Sequence, residues 1–401
     1  MIKIGVVGCR RGRTMMRYCI KSKDAVLTAI CDYNREAMEK EKKSYGKKGK
    51  DIRLFTDFDA FLSEADIDAV VLANYGNDHA PYAIKCLNAG KHVLSELLPV
   101  ETLKEAVELC DCIEKTGLVY AYAENCCYFP AVREMQRLYK AGALGEFEYG
   151  EGEYIHDCEP RWKELTGGNK PDHWRNVMSA FYYCTHSAGP LVHLTGMRPV
   201  KVSGTEGRYN SRMQNIGAGG AAVAVETVTM ENGGVFKSTH GLGLPGNSTW
   251  FSVYGETGHA ESKREYSGFS FIPHSRYVQV GLHTTSQKIF PKKRIYCAPV
   301  DRRSKIFGHN GSDWYIMHNF IERINGREAD VIDVYEALDM YFVGHFGFLS
   351  ALNGGAALDI PDFRDKSVRE KYREDTSCPD PKKAGEMLLP SNTHGKVKKW
   401  K

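Results

Sequence analysis

The chain opens with Ile2-Lys3-Ile4-Gly5-Val6-Val7-Gly8-Cys9-Arg10-Arg11-Gly12-Arg13, and this stretch decides the fold. Its first half is an apolar run typical of a buried strand, and we expect no signal peptide here. Glycines follow the run, and a helical pattern then extends over residues 13–22. A strand, a glycine loop and a helix in this order are typical of the start of a dinucleotide-binding domain.

Strand-like and helix-like patterns alternate through the first third of the chain. Short apolar runs typical of buried strands recur at 3–7, 26–31, 69–73, 92–95 and 119–123. Helical periodicity separates these runs, at 13–22, 34–43, 80–89 and 102–116. This alternation predicts a parallel sheet with helices on both faces, which is the architecture of a Rossmann domain.

The pattern changes after residue 146. Strand-like segments now follow one another, at 147–156, 200–205, 221–230, 234–240, 249–254 and 276–282. Two helices are predicted near the end, at 314–324 and 334–352. The predicted fold class is α/β, with an N-terminal Rossmann dinucleotide-binding domain plus a C-terminal α+β domain with a mostly antiparallel open sheet. We expect an NAD-binding domain at 1–125, a substrate-binding domain at 126–355 and a polar C-terminal tail at 356–401.

Composition argues against several classes of protein. The formal net charge of +4 is too small to indicate a nucleic-acid or membrane partner, and 42% hydrophobic residues are ordinary for a globular protein. No apolar stretch reaches the ~18 residues of a membrane span. The 12 cysteines include no Cys-x-x-Cys pair and no cluster with metal-ligand spacing. We therefore expect reduced thiols, no metal and a cytoplasmic location.

The loop after the first strand carries the glycines of a dinucleotide site. Gly8 and Gly12 would let a pyrophosphate approach the backbone at a helix N-terminus, with Arg10 and Arg11 between them. Arg10 replaces the second glycine of the strict Gly-x-Gly-x-x-Gly pattern. The prediction therefore depends on the strand before the loop and the helix after it.

Asp32 ends the second predicted strand, 20 residues after Gly12. An acid at this distance accepts the ribose hydroxyls and repels the 2′-phosphate of NADP, so the predicted cofactor is NAD. The alternative is that Asp32 only caps the helix that follows it. Arg35, close by in the sequence, weakens the preference for NAD over NADP.

Three later stretches resemble a known family. They are Glu124-Asn125-Cys126-Cys127-Tyr128, Gly152-Glu153-Tyr154-Ile155-His156-Asp157 and Tyr183-Cys184-Thr185-His186. With the Gly90-Lys91-His92-Val93 strand and the domain order, they resemble the Gfo/Idh/MocA oxidoreductases over residues 1–355. Within that family they look most like the NAD-dependent glycoside hydrolases, such as α-N-acetylgalactosaminidases and the related sulfoquinovosidases. Most sugar dehydrogenases of the family carry Glu-Lys-Pro where this chain has Leu97 after Glu96, and the glycoside hydrolases also tend to lack that lysine.

The resemblance implies a redox-neutral glycosidase. In that scheme NAD⁺ takes a hydride from C3 of the bound sugar, and the resulting ketone acidifies the C2 proton. A base removes that proton and the C1 aglycone is eliminated. Water then adds to the alkene, and NADH reduces C3 again. The net reaction is hydrolysis, so the cofactor is recycled.

Such a reaction needs groups that carry protons to and from the sugar. By analogy with the family, we assign the 3-hydroxyl proton to His186 and the C2 proton, or help to the leaving group, to Tyr154. His156 would tune or replace Tyr154, and Tyr183 would act beside His186. Residues two apart on a strand share a face, as do residues three apart on a helical turn. Without the motif, Tyr154 would be read as a packed core aromatic.

Other residues are predicted to contact ligands. The remaining cofactor contacts are expected at Asn74, His79, Glu96, Glu124, Trp174 and Arg175. The substrate contacts are expected at Arg161, Lys163, His309 and Asp313. Several have a purely structural alternative: Arg175 packed on an indole, Glu124 as a surface carboxylate and Asp313 as a helix N-cap.

Two other functions fit the sequence. An NAD-dependent sugar dehydrogenase that forms a 3-keto sugar is favoured by Glu96 and disfavoured by Leu97. A catalytically silent sugar or nucleotide sensor is favoured by Leu97 and Arg10, but it has no need of paired proton carriers. The expected partner is a small-molecule glycoside, with no nucleic acid and no membrane. The resemblance also implies a homo-dimer or tetramer formed through the open sheet.

Overall fold

The computed structural model describes residues 1–262, 269–273 and 304–394. The strand predicted at 276–282 lies outside these residues. The chain divides into two units, each built from several separate segments. Unit 1 comprises Met1–Asn125, Val300–Leu338 and Phe363–Asp375, and unit 2 comprises Cys126–Pro299, Asp339–Asp362 and Thr376–Lys401. The continuous domains expected at 1–125, 126–355 and 356–401 remain predictions.

In the described residues, strands and helices alternate up to β6, and strands predominate from β7 onward. The strands are β1 Ile2–Val7, β2 Ala25–Cys31, β3 Arg53–Phe55, β4 Ala69–Leu72, β5 His92–Ser95, β6 Tyr120–Tyr122, β7 Phe147–Ile155, β8 Pro199–Glu206, β9 Ala224–Met230, β10 Val235–Gly241, β11 Ser248–Gly255, β12 Gly258–Ser262, β13 Phe269–Pro273 and β14 Leu358–Asp359. The α-helices are α1 Arg13–Lys21, α2 Arg35–Ser44, α3 Phe58–Glu64, α4 His79–Asn88, α5 Leu103–Thr116, α6 Pro130–Lys140, α7 Trp162–Leu165, α8 Trp174–Val177, α9 Thr185–Thr195, α10 Ser211–Ile216, α11 Ser312–Ile324, α12 Val334–Leu352 and α13 Lys366–Arg369.

Unit 1 contains a six-stranded sheet in the order β3-β2-β1-β4-β5-β6, with every neighbouring pair parallel. All four residues of β4 are buried, as a central strand covered on both faces requires. The strand order reverses between β1 and β4. Ligands of open parallel sheets bind at the carboxyl ends of the strands at such a reversal. The predicted Rossmann domain is confirmed.

Unit 2 contains an eight-stranded sheet in the order β13-β12-β11-β7-β10-β9-β8-β14. The pair of β7 and β10 is parallel, and the other pairs are antiparallel. The sheet is therefore mixed, and the predicted description as mostly antiparallel holds except at this central pair. Helix α9 packs against β7 and β10, and its residues from Thr185 to Leu194 are buried.

The segment predicted as a polar tail contains ordered elements. Strand β14 pairs with β8, and α13 ends at Arg369, which is only 1% exposed. The Arg369 guanidinium donates to both carboxylate oxygens of Glu114, at 2.6 and 2.8 Å, and lies 3.0 Å from an oxygen of Asp111. These ion pairs fix residues of the C-terminal segment to α5 within unit 1.

The cysteines in the described part of the chain are all free thiols and all buried. Across the same residues, the helices are all too short or too polar to cross a lipid bilayer.

Candidate active site

The glycine loop of unit 1 packs closely on the end of β4. Gly8 has φ +94°, and a Cβ at this position would lie 2.3 Å from the carbonyl oxygen of Ala73. A Cβ on Gly12 would lie 2.5 Å from the carbonyl oxygen of Gly8. Both positions therefore require glycine, as in loops that bring a pyrophosphate close to the backbone. Helix α1 starts directly after Gly12, with no side-chain cap on its first turn.

Asp32 lies at the end of β2 and contacts the same loop. Its Oδ2 accepts a hydrogen bond from the backbone N–H of Cys9 at 2.7 Å, and its Oδ1 accepts one from the N–H of Asn34 at 2.8 Å. The N-cap of α2 is Asn34, whose side chain accepts from the N–H of Ala37. The alternative that Asp32 caps this helix is therefore wrong.

Four of the predicted ligand contacts form one charged network in unit 1. Arg11 Nη2 lies 2.6 Å from Glu96 Oε1, and the guanidinium donates to both oxygens of Asp313 at 3.0 Å. His309 Nδ1 lies 3.0 Å from Asp313 Oδ1. Asp313 is the second residue of α11, whose N-cap is Gly311, so the N-cap alternative for Asp313 is also wrong.

The network sets the protonation of its two buried carboxyl groups. Burial raises the pKa of Glu96 above its ordinary value, and Arg11 opposes this shift. Burial acts in the same direction on Asp313, but Arg11 and His309 outweigh it and hold the pKa of this carboxyl well below its usual range. Asp313 is thus a carboxylate engaged by Arg11 and His309. Any ligand that binds Arg11 or Asp313 must compete with these ion pairs.

The remaining predicted cofactor residues of unit 1 differ in burial. His79 is 1% exposed, and its Nδ1 donates to the carbonyl oxygen of Leu98 at 3.0 Å. Glu124 is fully buried, so the alternative of a surface carboxylate is wrong. Asn74, two residues after β4, is half-buried, and Arg10 is exposed.

Unit 2 brings the four predicted proton carriers together. Tyr154 lies near the end of β7 and His156 directly follows that strand, while Tyr183 ends the 3₁₀ turn Ala180–Tyr183 and His186 lies in the first turn of α9. The Tyr154 ring centroid is 4.4 Å from that of His186, 5.7 Å from Tyr183 and 5.9 Å from His156. The rings of Tyr183 and His186 are 5.0 Å apart. We call these four residues the tyrosine–histidine cluster.

The backbone places His186 over Tyr154 by a close contact between α9 and β7. A Cβ on Gly152 would lie 1.9 Å from the carbonyl oxygen of Ser187, so only glycine allows the helix to approach this closely. The Ser187 hydroxyl is also 2.8 Å from that of Ser238, the register partner of Gly152 on β10. The residue next to His186 is therefore held at two adjacent strands.

Burial and nearby cations determine which members of the cluster can accept a proton. The pKa of His156 is lowered from 6.5, first by burial and then by the charges of His186, Arg161 and Arg175. His156 is therefore neutral at neutral pH and can act as a base. Burial raises the pKa of Tyr183 far above its ordinary value, although Arg175 opposes the shift. Tyr183 therefore acts as a hydrogen-bond donor at neutral pH.

Arg175 lies beside the cluster and stacks on Trp174. Its guanidinium carbon is 4.4 Å from the indole centroid, and Nη1 donates to the Tyr182 hydroxyl at 3.2 Å. This is the cation–indole packing considered as the structural alternative, but the side chain is half-buried and its charge reaches His156 and Tyr183. The predicted contact of Trp174 and Arg175 with the cofactor stays a prediction.

The predicted substrate contacts of unit 2 lie on the surface. Arg161 and Lys163 are both exposed, and Arg161 Nε pairs with Glu164 at 3.3 Å. Exposed pairs of this kind contribute little to stability. A role for either residue in substrate binding remains a prediction.

Sequence reasoning missed two buried pairs in unit 2. Cys126 Sγ lies 3.6 Å from His186 Nδ1, although both residues belong to stretches that carry the family resemblance. His240 Nε2 lies 2.7 Å from Glu226 Oε1, with both side chains fully buried. His240 is the register partner of Tyr154. A glutamate at an inward position of the alternating strand β9 was the available signal for the second pair.

Comparisons with protein families match two separate segments of the chain. Residues 2–124 match the Gfo/Idh/MocA oxidoreductase family, NAD-binding Rossmann fold, and residues 296–370 match the glycosyl hydrolase 109 C-terminal domain. A glycosyl hydrolase family 109 protein of Shewanella sp. (strain ANA-3) is 29% identical over 200 residues, which is 47% of this chain and 43% of the relative. The chain thus matches less than half the length of that relative. The α-N-acetylgalactosaminidase of Tannerella forsythia is 24% identical over 387 residues, covering 84% of this chain and 80% of that protein.

Solved structures share the fold. Levoglucosan dehydrogenase in complex with NADH and L-sorbose superposes with a TM-score of 0.70 at 16% identity, covering 90% of this chain and 99% of that one. Scyllo-inositol dehydrogenase from Lactobacillus casei with bound NAD(H) and scyllo-inositol gives a TM-score of 0.65 at 17% identity. The match covers 90% of this chain and 99% of that one. At these identities the likeness establishes the fold alone.

Proposed function

We propose that this chain, which joins an NAD-binding Rossmann domain of the Gfo/Idh/MocA family to a glycosyl hydrolase 109 C-terminal domain, is an NAD-dependent redox-neutral glycosidase. Its substrate would be a glycoside oxidised transiently at C3, deprotonated at C2, and cleaved by elimination of the C1 aglycone. Water addition and re-reduction would complete the hydrolysis.

The observation that carries the proposal is the tyrosine–histidine cluster. Tyr154, His156, Tyr183 and His186 come from two separate stretches of sequence, and Tyr154 lies within 6 Å, ring centroid to ring centroid, of each of the others. An elimination needs one group for the 3-hydroxyl proton and another for the C2 proton. A sensor that only binds a sugar gains nothing from several such groups in contact.

The residues of unit 1 fit an NAD site. Gly8 and Gly12 leave no space for a side chain at the end of β4, and Asp32 places a carboxylate at the end of β2, where a ribose would be bound. When bound, NAD⁺ supplies a hydride acceptor that returns the hydride within the same turnover.

Within the cluster, the residues would divide the proton transfers. His186 would accept the proton of the 3-hydroxyl and later return it. Tyr154, in contact with both histidines, would take the C2 proton or assist the leaving group, with His156 as the neutral base beside it. Tyr183 would hold the sugar through its hydroxyl proton, because its pKa is raised.

The experiment that tests the function incubates the purified full chain and NAD⁺ with a panel of 4-nitrophenyl glycosides. The panel includes a galactosaminide, a glucoside and a sulfoquinovoside. Aglycone release and NADH absorbance are followed in the same sample. We expect release of the aglycone with no accumulation of NADH, because the cofactor is reoxidised in each turnover.

Two results would contradict the proposal. Accumulation of NADH without aglycone would identify an NAD-dependent sugar dehydrogenase that forms a 3-keto sugar. If neither aglycone nor NADH forms with any glycoside of the panel, although the protein still binds NAD⁺, the result would favour a sensor that binds a sugar or nucleotide without turning it over.

A further inference from the structure

Within unit 1, the segment that leads into α11 packs against α1, the helix that follows the glycine loop. The ring centroid of Phe307 lies 6.0 Å from that of Tyr18 in α1. A Cβ on Gly308, which has φ +101°, would lie 3.0 Å from the side chain of Thr14. A late part of the chain therefore contacts the first turns of this helix.

Arg11 and Asp313 join the same late segment to the glycine loop itself. The Arg11 guanidinium donates to both carboxylate oxygens of Asp313 at 3.0 Å, and its Nη1 also donates to the Thr14 hydroxyl at 3.1 Å. Its Nη2 lies 2.6 Å from Glu96, which directly follows β5. The Asp313 side chain is fully buried, so solvent screens this ion pair less than a pair on the surface. Carboxyl groups from two other elements thus fix one side chain of the loop.

The engagement of Arg11 bears on how the loop binds a cofactor. Its guanidinium is already bound by Asp313 and Glu96, so we do not expect it to bind the pyrophosphate of NAD directly. The first turn of α1 has no side-chain cap, and its backbone N–H groups can bind the pyrophosphate instead. A loop that already holds the bound conformation loses less conformational freedom on binding, so anchoring it favours affinity.

We propose that Asp313 is a positioning residue of the cofactor site, which anchors Arg11 and thereby holds the glycine loop in the conformation that binds the pyrophosphate of NAD. The sequence predicted a contact of Asp313 with the substrate, whereas this role acts on the cofactor through Arg11. Residues 296–370, which match the glycosyl hydrolase 109 C-terminal domain, would then contribute to NAD binding by residues 2–124. The role concerns NAD binding alone and does not depend on the reaction that the chain catalyses.

The test is a fluorescence titration of the purified full chain with NADH, without substrate. Asp313→Asn keeps the size of the side chain but removes its charge, and it leaves Glu96 beside Arg11. We expect the Kd for NADH to rise about 10-fold, at the lower end of what the loss of a hydrogen bond to a charged group causes. An unchanged Kd would overturn the inference. Tighter binding would also overturn it, because it would mean that Asp313 withholds Arg11 from the cofactor.

A double-mutant cycle tests whether Asp313 acts through Arg11. Arg11→Lys keeps a positive charge but cannot form the two parallel hydrogen bonds, and we expect it to weaken NADH binding to a similar extent. The double variant should bind NADH within about 2-fold of the weaker single variant, because both substitutions break the same contact. Effects that multiply would show that the two residues act separately and would overturn the inference.

Glu114→Gln is the matched control, because Glu114 pairs with Arg369 and also joins a late segment to unit 1. It should lower the melting temperature and leave the Kd for NADH unchanged. If it weakens NADH binding as much as Asp313→Asn does, general destabilisation explains both results and the inference fails. If Asp313→Asn does not fold, Arg11→Lys tests the same contact from the loop, and an unchanged Kd in that variant would overturn the inference.

Discussion

His186 and His193 lie in the same helix but in different surroundings. His186 contacts Tyr154, Tyr183 and Cys126 in its first turn. His193, near its end, packs against Tyr128 at a centroid distance of 5.4 Å. Both are buried, so burial alone does not distinguish a proton carrier from a structural histidine. The neighbours differ, because His186 lies within the tyrosine–histidine cluster, whereas His193 packs against Tyr128 outside it.

This difference predicts separate effects of two substitutions. His186→Ala should lower kcat by about 10²-fold or more while leaving NAD affinity unchanged, because it removes a proton carrier from unit 2. His193→Ala, the matched control, should lower the melting temperature and retain kcat. Turnover of the panel glycosides and titration with NADH fluorescence measure both effects. Near-normal turnover by His186→Ala would contradict the assignment.

The surroundings of His173 lead us to expect that the free energy of unfolding depends on pH. Its Nδ1 accepts a hydrogen bond from the backbone N–H of Arg175, and burial, followed by the charge of Arg175, lowers the pKa of His173 to about 4. Between pH 4 and the ordinary pKa of 6.5, His173 binds a proton more readily in the unfolded chain than in the folded one. The contribution of His173 to the free energy of unfolding is therefore constant above pH ~6.5 and falls as the pH drops, by about 3 kcal/mol in total.

Urea unfolding across this pH range tests the effect. The comparison of wild type with His173→Gln isolates it, because the variant has no imidazole to protonate. The two proteins should lose stability by different amounts between about pH 6.5 and 4, with the steeper loss in the wild type. Parallel curves would show that His173 is not held neutral by the fold.

At single residues, the sequence predicted four side chains that the structure brings together, and it missed the partners that contact them. Tyr154, His156, Tyr183 and His186 were found because their motifs are local in sequence. Cys126 and His186 are 60 residues apart, and their contact depends on how α9 packs. The ion pair of Arg11 with Asp313, 302 residues away, likewise depends on tertiary packing. A single sequence carries no signal for such distant partners.

The junction of β7 and α9 shows how two elements fix the position of His186. Gly152 and Gly150 lie on the same face of β7, two residues apart. The space beside the two glycines differs. A Cβ on Gly150 would lie 3.1 Å from its nearest atom, the carbonyl oxygen of Ser252, whereas a Cβ on Gly152 would lie 1.9 Å from the carbonyl oxygen of Ser187. The closer contact is with the backbone of Ser187, which cannot rotate away.

Replacing these glycines tests the junction. Gly152→Ala should displace the start of α9, lower the free energy of unfolding by about 1–3 kcal/mol and lower kcat. Gly150→Ala, two residues away, should have the smaller effect on both quantities. Denaturant unfolding and glycoside turnover measure them. Equal effects of the two substitutions would contradict the proposed control of His186 by this contact.

At the level of elements, several long periodic segments were predicted well, but the 11-residue helix α6 and most short or interrupted elements were missed. The bounds of β5 and α12 were predicted as observed. The three-residue strand β3 and the helix α3 were missed, because so few residues show no period. Helix α9 was missed as a full helix because Pro190 lies inside it, where proline normally disfavours a helix.

For the whole molecule, the sheet of unit 2 predicts self-association. Tyr254 is 43% exposed and Val235 is 36% exposed, and both are register partners of Tyr149, so the three lie on one face. Apolar groups exposed together on a sheet favour a protein partner. We expect a homo-dimer or tetramer formed through this face.

Sedimentation of the full chain measures this association. Tyr254→Lys should shift the protein toward the monomer, because it places a charge in the apolar face. Tyr33→Lys is the matched control, since Tyr33 is an exposed tyrosine of unit 1, at 80%. A monomeric wild type, or a Tyr254→Lys variant that associates as the wild type does, would contradict the expectation.

The order of predicted strands and helices was enough to predict the parallel sheet of unit 1 and the open sheet of unit 2. It did not predict which segments of the chain belong to each unit. Alternation of strand and helix is local, so the Rossmann sheet could be inferred from residues 1–125. The return of Val300–Leu338 and Phe363–Asp375 to unit 1 could not. It depends on ion pairs such as that of the buried Arg369 with Glu114, which join residues 255 positions apart.

In the proposed function, cleavage proceeds by elimination and not by direct displacement. The most direct test is hydrolysis of a cleaved glycoside in D₂O with NAD⁺ present, followed by proton NMR of the released sugar. We expect deuterium at C2, because the proton removed there exchanges with solvent before water adds to the alkene. Released sugar that keeps its original hydrogen at C2 would show that the bond is cleaved without C2 deprotonation, and elimination would be ruled out.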